Sequence, residues 1–294
     1  MTRLRTNAAD LVMANIAGRV APARIHAEAM AVDNDGRQRL LPGTGGIALG
    51  VHAGDPADRW VADHLMAGAS IEDTAGTPAV AGPLHLLSAI GNRVRDGMGH
   101  TIGVVAGKRG GLAPGFWAPQ LVGVEISDAV AGRLMPEDRV VVETVGRGLR
   151  LLDYYEIALS NVSPRLLDAL PLVETATGLQ CVVCHTVPAE LAGAGLGQDS
   201  WIGDLEITDT AAVPGLRFGD LVAFENIDST VTRYYAPGTV SIGIVSHGPG
   251  HASGHGIGVT ILATGPASRL QPVIGDGGLG PQLVAWATET GAPE

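Results

Sequence analysis

The sequence predicts a mainly-β fold: several small β-barrel or sandwich-like modules with a few short helices. Three observations predict it. The apolar stretches are short and rich in β-branched residues. Glycine (42 residues) and proline (18) punctuate those stretches instead of gathering in a low-complexity tract. Hydrophobic residues still make up 46% of the chain, enough for a packed core. Strands are expected over residues 121–126, 139–145, 156–160, 179–187, 221–227, 239–246 and 259–263, each bounded by Gly, Pro, Asp or Asn. A helix is expected over 163–170, with Ser163 as cap, Pro164 at the first helical position and Pro171 as stop. Residues 282–288, after Pro281 and before Gly291, form a second helix, and 83–90 a third.

The 294 residues exceed the ~100–150 typical of one domain, so more than one module is expected. The division runs near 164–178. It separates an N-terminal β-rich part over 1–165 from a C-terminal β-barrel-like module over 166–294 that carries a His/Gly loop. A faint repeat supports two related modules. Leu134, Asp138, Val140 and Glu143 recur at the same offsets as Leu216, Asp220, Val222 and Glu225. Its physical content is a turn closed by Asp, then a half-buried strand with Glu pointing outward.

The formal net charge is −11, which repels phosphate backbones, and no Lys/Arg cluster stands out. Nucleic acid is therefore not an expected partner. No run of ~18 or more uncharged apolar residues offers a membrane-spanning helix. Asp10 and Asn15 interrupt the stretch behind the basic start, so no signal peptide is expected. A cytoplasmic homo-oligomer acting on a small molecule is the expected setting.

Several motifs have bland readings. Cys181-Val182-Val183-Cys184-His185 matches the C-x-x-C-H haem-attachment pattern. Without an export signal, and with Val-rich spacing, it reads instead as part of a strand carrying two reduced thiols, with no haem and no disulfide. Gly275-Asp276-Gly277-Gly278-Leu279-Gly280 fits G-x-G-x-x-G, and Gly43-Thr44-Gly45-Gly46 suggests a phosphate loop. Neither has the strand–loop–helix context or the Lys-Ser/Thr pair that nucleotide binding needs, so both read as turns and no nucleotide is expected.

The densest chemistry is Ser246-His247-Gly248-Pro249-Gly250-His251-Ala252-Ser253-Gly254-His255-Gly256-Ile257-Gly258. Pro249 and the glycines exclude a helix, so this is a loop between two strands. Such a loop either converges its imidazoles on one point, as metal ligands do, or bonds them to its own backbone. Seven residues separate His247 from His255, enough for the chain to return. The expectation is that both line one concave site with Asp63 or His64. Lys108-Arg109 form a cationic turn suited to a carboxylate or phosphate, or a plain solvated turn. Gly203-Asp204-Leu205-Glu206 and Asn226-Ile227-Asp228 put carboxylates at a strand start and a strand end, and each also reads as an ordinary turn.

The combination and order of several segments resemble a prokaryotic family known as a domain of unknown function, DUF4438, over most of the chain. The segments are Leu41-Pro42-Gly43-Thr44-Gly45-Gly46-Ile47, Asp63-His64, Ile90-Gly91-Asn92, Gly148-Leu149, Gly193-Ala194-Gly195-Leu196-Gly197, Gly203-Asp204, Leu216-Arg217-Phe218-Gly219-Asp220-Leu221-Val222-Ala223 and Gly254-His255-Gly256. The resemblance implies a mainly-β, multi-module fold and brings no activity. Relatives carry Gly-Lys-His-Gly-Gly where Lys108-Arg109 stand, an acidic residue after the counterpart of His247, and Gly-Asp where Gly99-His100 stand. Either His251 and His100 are replacements, or the original chemistry is lost.

The function expected is a small-molecule enzyme, a metal-assisted hydrolase of an amide or cyclic amide. A divalent ion would be held by His247, His255, Asp228 and His64, with Asp204 as base or supporting group and Lys108 and Arg109 orienting an anionic substrate. The alternatives are a metal-free lyase, isomerase or cyclase using His100, His255 and an aspartate, and a binding or assembly protein without turnover.

Overall fold

The computed structural model describes residues 4–24, 31–32, 36, 38–39, 41–43, 45–74, 82–113, 116–117, 120–252 and 254–289. Of the described residues 41% are in strands and 13% in helices, so the fold is mainly β. The first half closes into a barrel of six strands: β1 (Ala14–Val20), β2 (Gly68–Asp73), β3 (Arg93–Asp96), β4 (Thr101–Arg109), β5 (Leu121–Glu125) and β6 (Arg139–Thr144). The order is β1-β6-β3-β4-β5-β2, and β2 pairs back onto β1, every pairing antiparallel. Ile71, Val94, Val104, Val122, Val124, Val140 and Val142 are all buried, which is what drives closure. Closure also removes the open edges that short strands would otherwise expose.

A second sheet contains β7 (Ala158–Leu159), β8 (His185–Val187), β9 (Leu205–Ile207), β10 (Leu221–Asp228), β11 (Tyr234–His247) and β12 (Ile257–Pro266). Its order is β7-β12-β11-β10-β8, with β9 pairing the start of β12. Leu172–Glu174, Leu179–Val183 and Leu270–Ile274 make a small third sheet. Among the described residues no helix is long and apolar enough to cross a membrane.

The expected helices form with adjusted ends: Pro83–Leu87, Pro164–Ala169 and Gly280–Thr288. Ser163 caps the second, its Oγ accepting from Leu166 N. The repeat is a shared turn. Asp138 Oδ2 accepts from Met135 N at 2.8 Å and Asp220 Oδ2 from Arg217 N at 2.9 Å, each turn anchored by a buried Leu134 or Leu216. The outward Glu holds only for Glu225; Glu143 is buried and pairs with Arg95.

The single strand expected over 179–187 is broken. The chain leaves the third sheet after Val183 and joins the second at His185, because Cys184 N donates to Leu221 O at the crossing. Cys181 and Cys184 are both free thiols, and burial pushes the Cys181 thiol up to about 12. The 275–280 turn runs between the strand Leu270–Ile274 and the helix Gly280–Thr288, with no returning strand after it among the described residues. Thr44, in the other glycine-rich segment, lies outside the described residues.

The barrel meets the second sheet along β4. Lys108 N donates to Thr260 Oγ1 at 2.9 Å, and Ser246 Oγ donates to Lys108 O at 3.2 Å. Asn161, fully buried with a φ of 56°, ties the seam from inside. It accepts from Lys108 Nζ at 2.8 Å and donates to Ser200 O at 2.8 Å and Ile261 O at 2.9 Å. Removing this amide takes one of two acceptors from a buried ammonium, which keeps Trp201 O, and a donor from two carbonyls, each lost bond worth about 1–3 kcal/mol. Asn161→Ala is expected to lower unfolding free energy by roughly 2–5 kcal/mol in urea titration. A change below about 1 kcal/mol would show that the seam does not depend on Asn161.

Candidate functional site

The site forms where one loop of the barrel half meets the end of β11, the start of β12 and the short strand β9. Asp204 and Glu206 flank Leu205, so the period of two places both carboxylates on one face. Register aligns Glu206 with Gly258 and Gly258 with His247, a row across three strands. The middle position must be glycine, because a Cβ on Gly258 would land on the His247 ring. Gly250 does the same for His64, whose ring occupies the space of a side chain there. This is the physical content of the glycines around these histidines: they give their volume to imidazoles.

His247 is fully buried. Its Nδ1 faces Gly248 O at 2.7 Å and its Nε2 faces Asp204 Oδ2 at 2.8 Å. A carbonyl only accepts, so Nδ1 carries hydrogen and Nε2 meets the carboxylate. Asp204 Oδ1 also accepts from Gly110 N at 3.0 Å. His255 Nδ1 lies 3.0 Å from Glu206 Oε1, and Gly256 N donates to Glu206 Oε2 at 2.6 Å. His64 arrives from the barrel half with a φ of 52°, uncommon for a non-glycine residue. Its Nδ1 is 2.9 Å from Asp63 Oδ1, and its Nε2 is 3.2 Å from His255 Nδ1 and 3.5 Å from Glu206 Oε1.

Burial would lower the His247 pKa, but the charge of Asp204 and its hydrogen bond raise it above the ordinary value. The hydrogen bond to Glu206 raises that of His255. Burial would raise the Glu206 carboxyl, yet hydrogen bonds from His255 and His64 hold it well below the usual carboxylate range. Asp63 is likewise lowered, its desolvation outweighed by His64 and Arg109. Arg109 is buried, and its charge acts on Asp204, Glu206 and Asp63. Its Nη1 has no hydrogen-bond partner among the described residues.

The structure therefore brings together His64, His247, His255, Asp63, Asp204 and Arg109. It places the other expected residues elsewhere. Asp228 pairs with Tyr234 at the opposite end of the 14-residue β11 from His247, where its Oδ1 caps Thr230 N. His100 sits on an exposed turn against Asp96 Oδ2 at 3.2 Å. Lys108 is consecutive with Arg109 on β4, so the two side chains leave opposite faces. Its ammonium is fully buried and donates to Asn161 Oδ1 and Trp201 O, an internal link rather than a substrate handle. His251 Nε2 lies 2.9 Å from Ala62 O, holding the two loops together. Glu206, which the sequence reading notes beside Asp204 without giving it a role in the site, joins the cluster; its signal is the Asp-x-Glu spacing on a strand.

Two sets of ligand atoms have the reach of metal ligands: His64, Glu206 and His255; and Asp204, Glu206 and His247, each with all atoms within 4.8 Å of one another. The family models of DUF4438, a domain of unknown function, match residues 30–168 with the N-terminal model and 169–278 with the C-terminal one. The crystal structure of TM1086 is similar over 96% of this chain and 100% of that one, at a TM-score of 0.88 and 31% sequence identity. No curated protein matches the chain.

A histidine whose folded pKa is raised adds stability below its unfolded value, ~6.5, and loses it as pH rises through the folded one. In chelator-treated protein, the stability gap between wild type and His247→Gln is therefore expected to be largest near pH 6 and to shrink toward pH 8.5. Urea titrations at a series of pH values read this directly. A gap that widens with pH would mean that the His247–Asp204 pair does not hold the proton.

Proposed function

The chain belongs to the DUF4438 family, whose description carries no activity, and from the site alone we propose a metal-assisted hydrolase of a small amide or cyclic amide. One observation carries the proposal. Three imidazoles and two carboxylates from β9, the β11–β12 loop and the barrel half converge with metal-ligand spacing. A divalent ion there would lower the pKa of a bound water and polarise a carbonyl.

The chain's own residues supply the rest. Asp63 and Gly248 O take the Nδ1 hydrogens of His64 and His247, so both rings offer Nε2 to the centre. Arg109 supplies a buried positive charge beside the carboxylates, fit for an anionic group on the substrate. The barrel loop and the glycine-rich loop cover the centre and limit its water, which strengthens each electrostatic contact.

A metal-free lyase, isomerase or cyclase is the second reading. It is favoured by the Asp63–His64 pair, a histidine oriented by a carboxylate as a general base is. Elemental analysis separates the two. Untagged protein purified without chelator is expected to hold at least one divalent ion per chain. Glu206→Gln, which alters the residue common to both ligand sets, is expected to lose it while its circular dichroism stays unchanged. The loaded wild type is expected to cleave members of a panel of small amides and lactams, and the stripped protein is not. Wild-type protein that binds no ion after incubation with zinc, manganese or cobalt would turn the site over to acid–base chemistry.

A further inference from the structure

We propose that the centre is a two-ion site in which Glu206 bridges the ions; this rests on the metal reading above. Donors on one ion sit about 2.0–2.2 Å from it, so two on opposite sides are about 4.2 Å apart. Each of the two ligand sets has its atoms within 4.8 Å of one another, close to that span, and the five residues group as two triads rather than as one set. Glu206 alone belongs to both. A carboxylate has two oxygens and about four lone-pair positions, enough for two ions. Ions bridged in this way stand roughly 3.5–4 Å apart and clamp both oxygens of a displacement.

The local structure supports a pair with matched halves. Each triad contains one histidine presenting Nε2, with Nδ1 directed to an acceptor: His64 to Asp63 and His247 to Gly248 O. Partners of this kind fix the tautomer and raise the basicity of metal-bound imidazole. Each triad draws one further ligand of its own, His255 in the first and Asp204 in the second. Glu206 stands between them because its strand partner, Gly258, has no side chain to separate it from His247.

Charge is consistent with two ions and names a class of substrate. Two divalent ions bring four positive charges, and Arg109 brings a fifth. Asp63, Asp204 and Glu206 supply three negative charges, and a hydroxide between the ions supplies a fourth. One positive charge is left, and buried charge is tolerated only when paired. Arg109 Nη1 is buried without a hydrogen-bond partner among the described residues. A singly charged anionic group, such as the carboxylate of an N-acyl amino acid or a lactam acid, would meet both needs. In the hydrolysis, the hydroxide oxygen would bond to the carbonyl carbon, the C–N bond would break, and the hydroxide's own proton would pass to the leaving nitrogen, giving a carboxylate and an amine.

The test is to load chelator-treated protein with Mn²⁺, dialyse it, count ions by elemental analysis and record its electron paramagnetic resonance spectrum. Wild type is expected to hold two ions per chain and to give the multiline spectrum of an exchange-coupled pair. His255→Ala, altering a ligand of one triad at a part-exposed position, is expected to retain one ion and show the uncoupled six-line signal. One ion per chain in wild type overturns the pair and leaves the metal reading standing. No ion overturns both. Two ions without coupling overturn the Glu206 bridge.

Discussion

The loop around His64 and the loop after His247 exchange backbone hydrogen bonds, and the candidate site depends on that exchange. His64 N donates to Pro249 O at 3.0 Å, and Gly248 N donates to Leu65 O at 2.8 Å. The two loops come from opposite halves of the chain. Their close approach is possible because Gly248 and Gly250 leave room for the Ala57 carbonyl and the His64 ring. His251 adds a third link through the Ala62 carbonyl. Without this seam the cluster would divide, with Asp63 and His64 on one side and Asp204, Glu206, His247 and His255 on the other. The non-glycine φ of His64 belongs to the same constraint: backbone strain is held in place by what surrounds it.

Once the loops are joined, charge governs what the site can hold. Three carboxylates lie close together in a region where isolated charge is costly. Arg109 offsets part of that charge, and imidazole protons or metal ions must offset the rest. Of the other buried cations, Arg233 also acts on Asp204 through its charge, while its hydrogen bonds go elsewhere. Lys108 is occupied by Asn161 and Trp201 O, and Arg233 by the carbonyls of Gly195 and Ile202. Burial pushes the Lys108 ammonium well below its ordinary value, with Arg147 and Arg233 adding to the effect. Lys108 braces the seam, whereas the charge of Arg109, one position along β4, acts on Asp63, Asp204 and Glu206.

The legible parts of the sequence were those whose signal is local. The helix at Pro164 announced itself through Ser163 and Pro164, and the Asp138 and Asp220 turns through a spacing that repeats a hydrogen bond. The His247–His255 loop was legible because proline and glycine exclude a helix there. The barrel strands β1 to β4 were not. Gly68–Asp73 mixes glycine, alanine and charge, Arg93–Asp96 is four residues with three charges, and the longer β1 and β4 are interrupted by glycine, so their burial comes from closure and not from a local pattern. Asp228 and His100 failed as site residues for a related reason. A carboxylate at a strand end carries no information about which end of the sheet it occupies. Lys108 and Arg109 looked like one cationic turn, yet strand alternation sends them to different surroundings. The place of Glu206 in the site, beside His247, follows only from the pairing of β9 with β12 opposite Gly258.

The central claim is that His64, His247, His255, Asp204 and Glu206 form a metal centre. Anomalous diffraction from crystals of protein purified without chelator and soaked in Mn²⁺ or Zn²⁺ tests it most directly. A metal centre predicts strong anomalous density within about 2.0–2.3 Å of His64 Nε2, His247 Nε2 and the Glu206 carboxylate. Density only at surface carboxylates, with the His247–Asp204 and His255–Glu206 contacts intact, would contradict it.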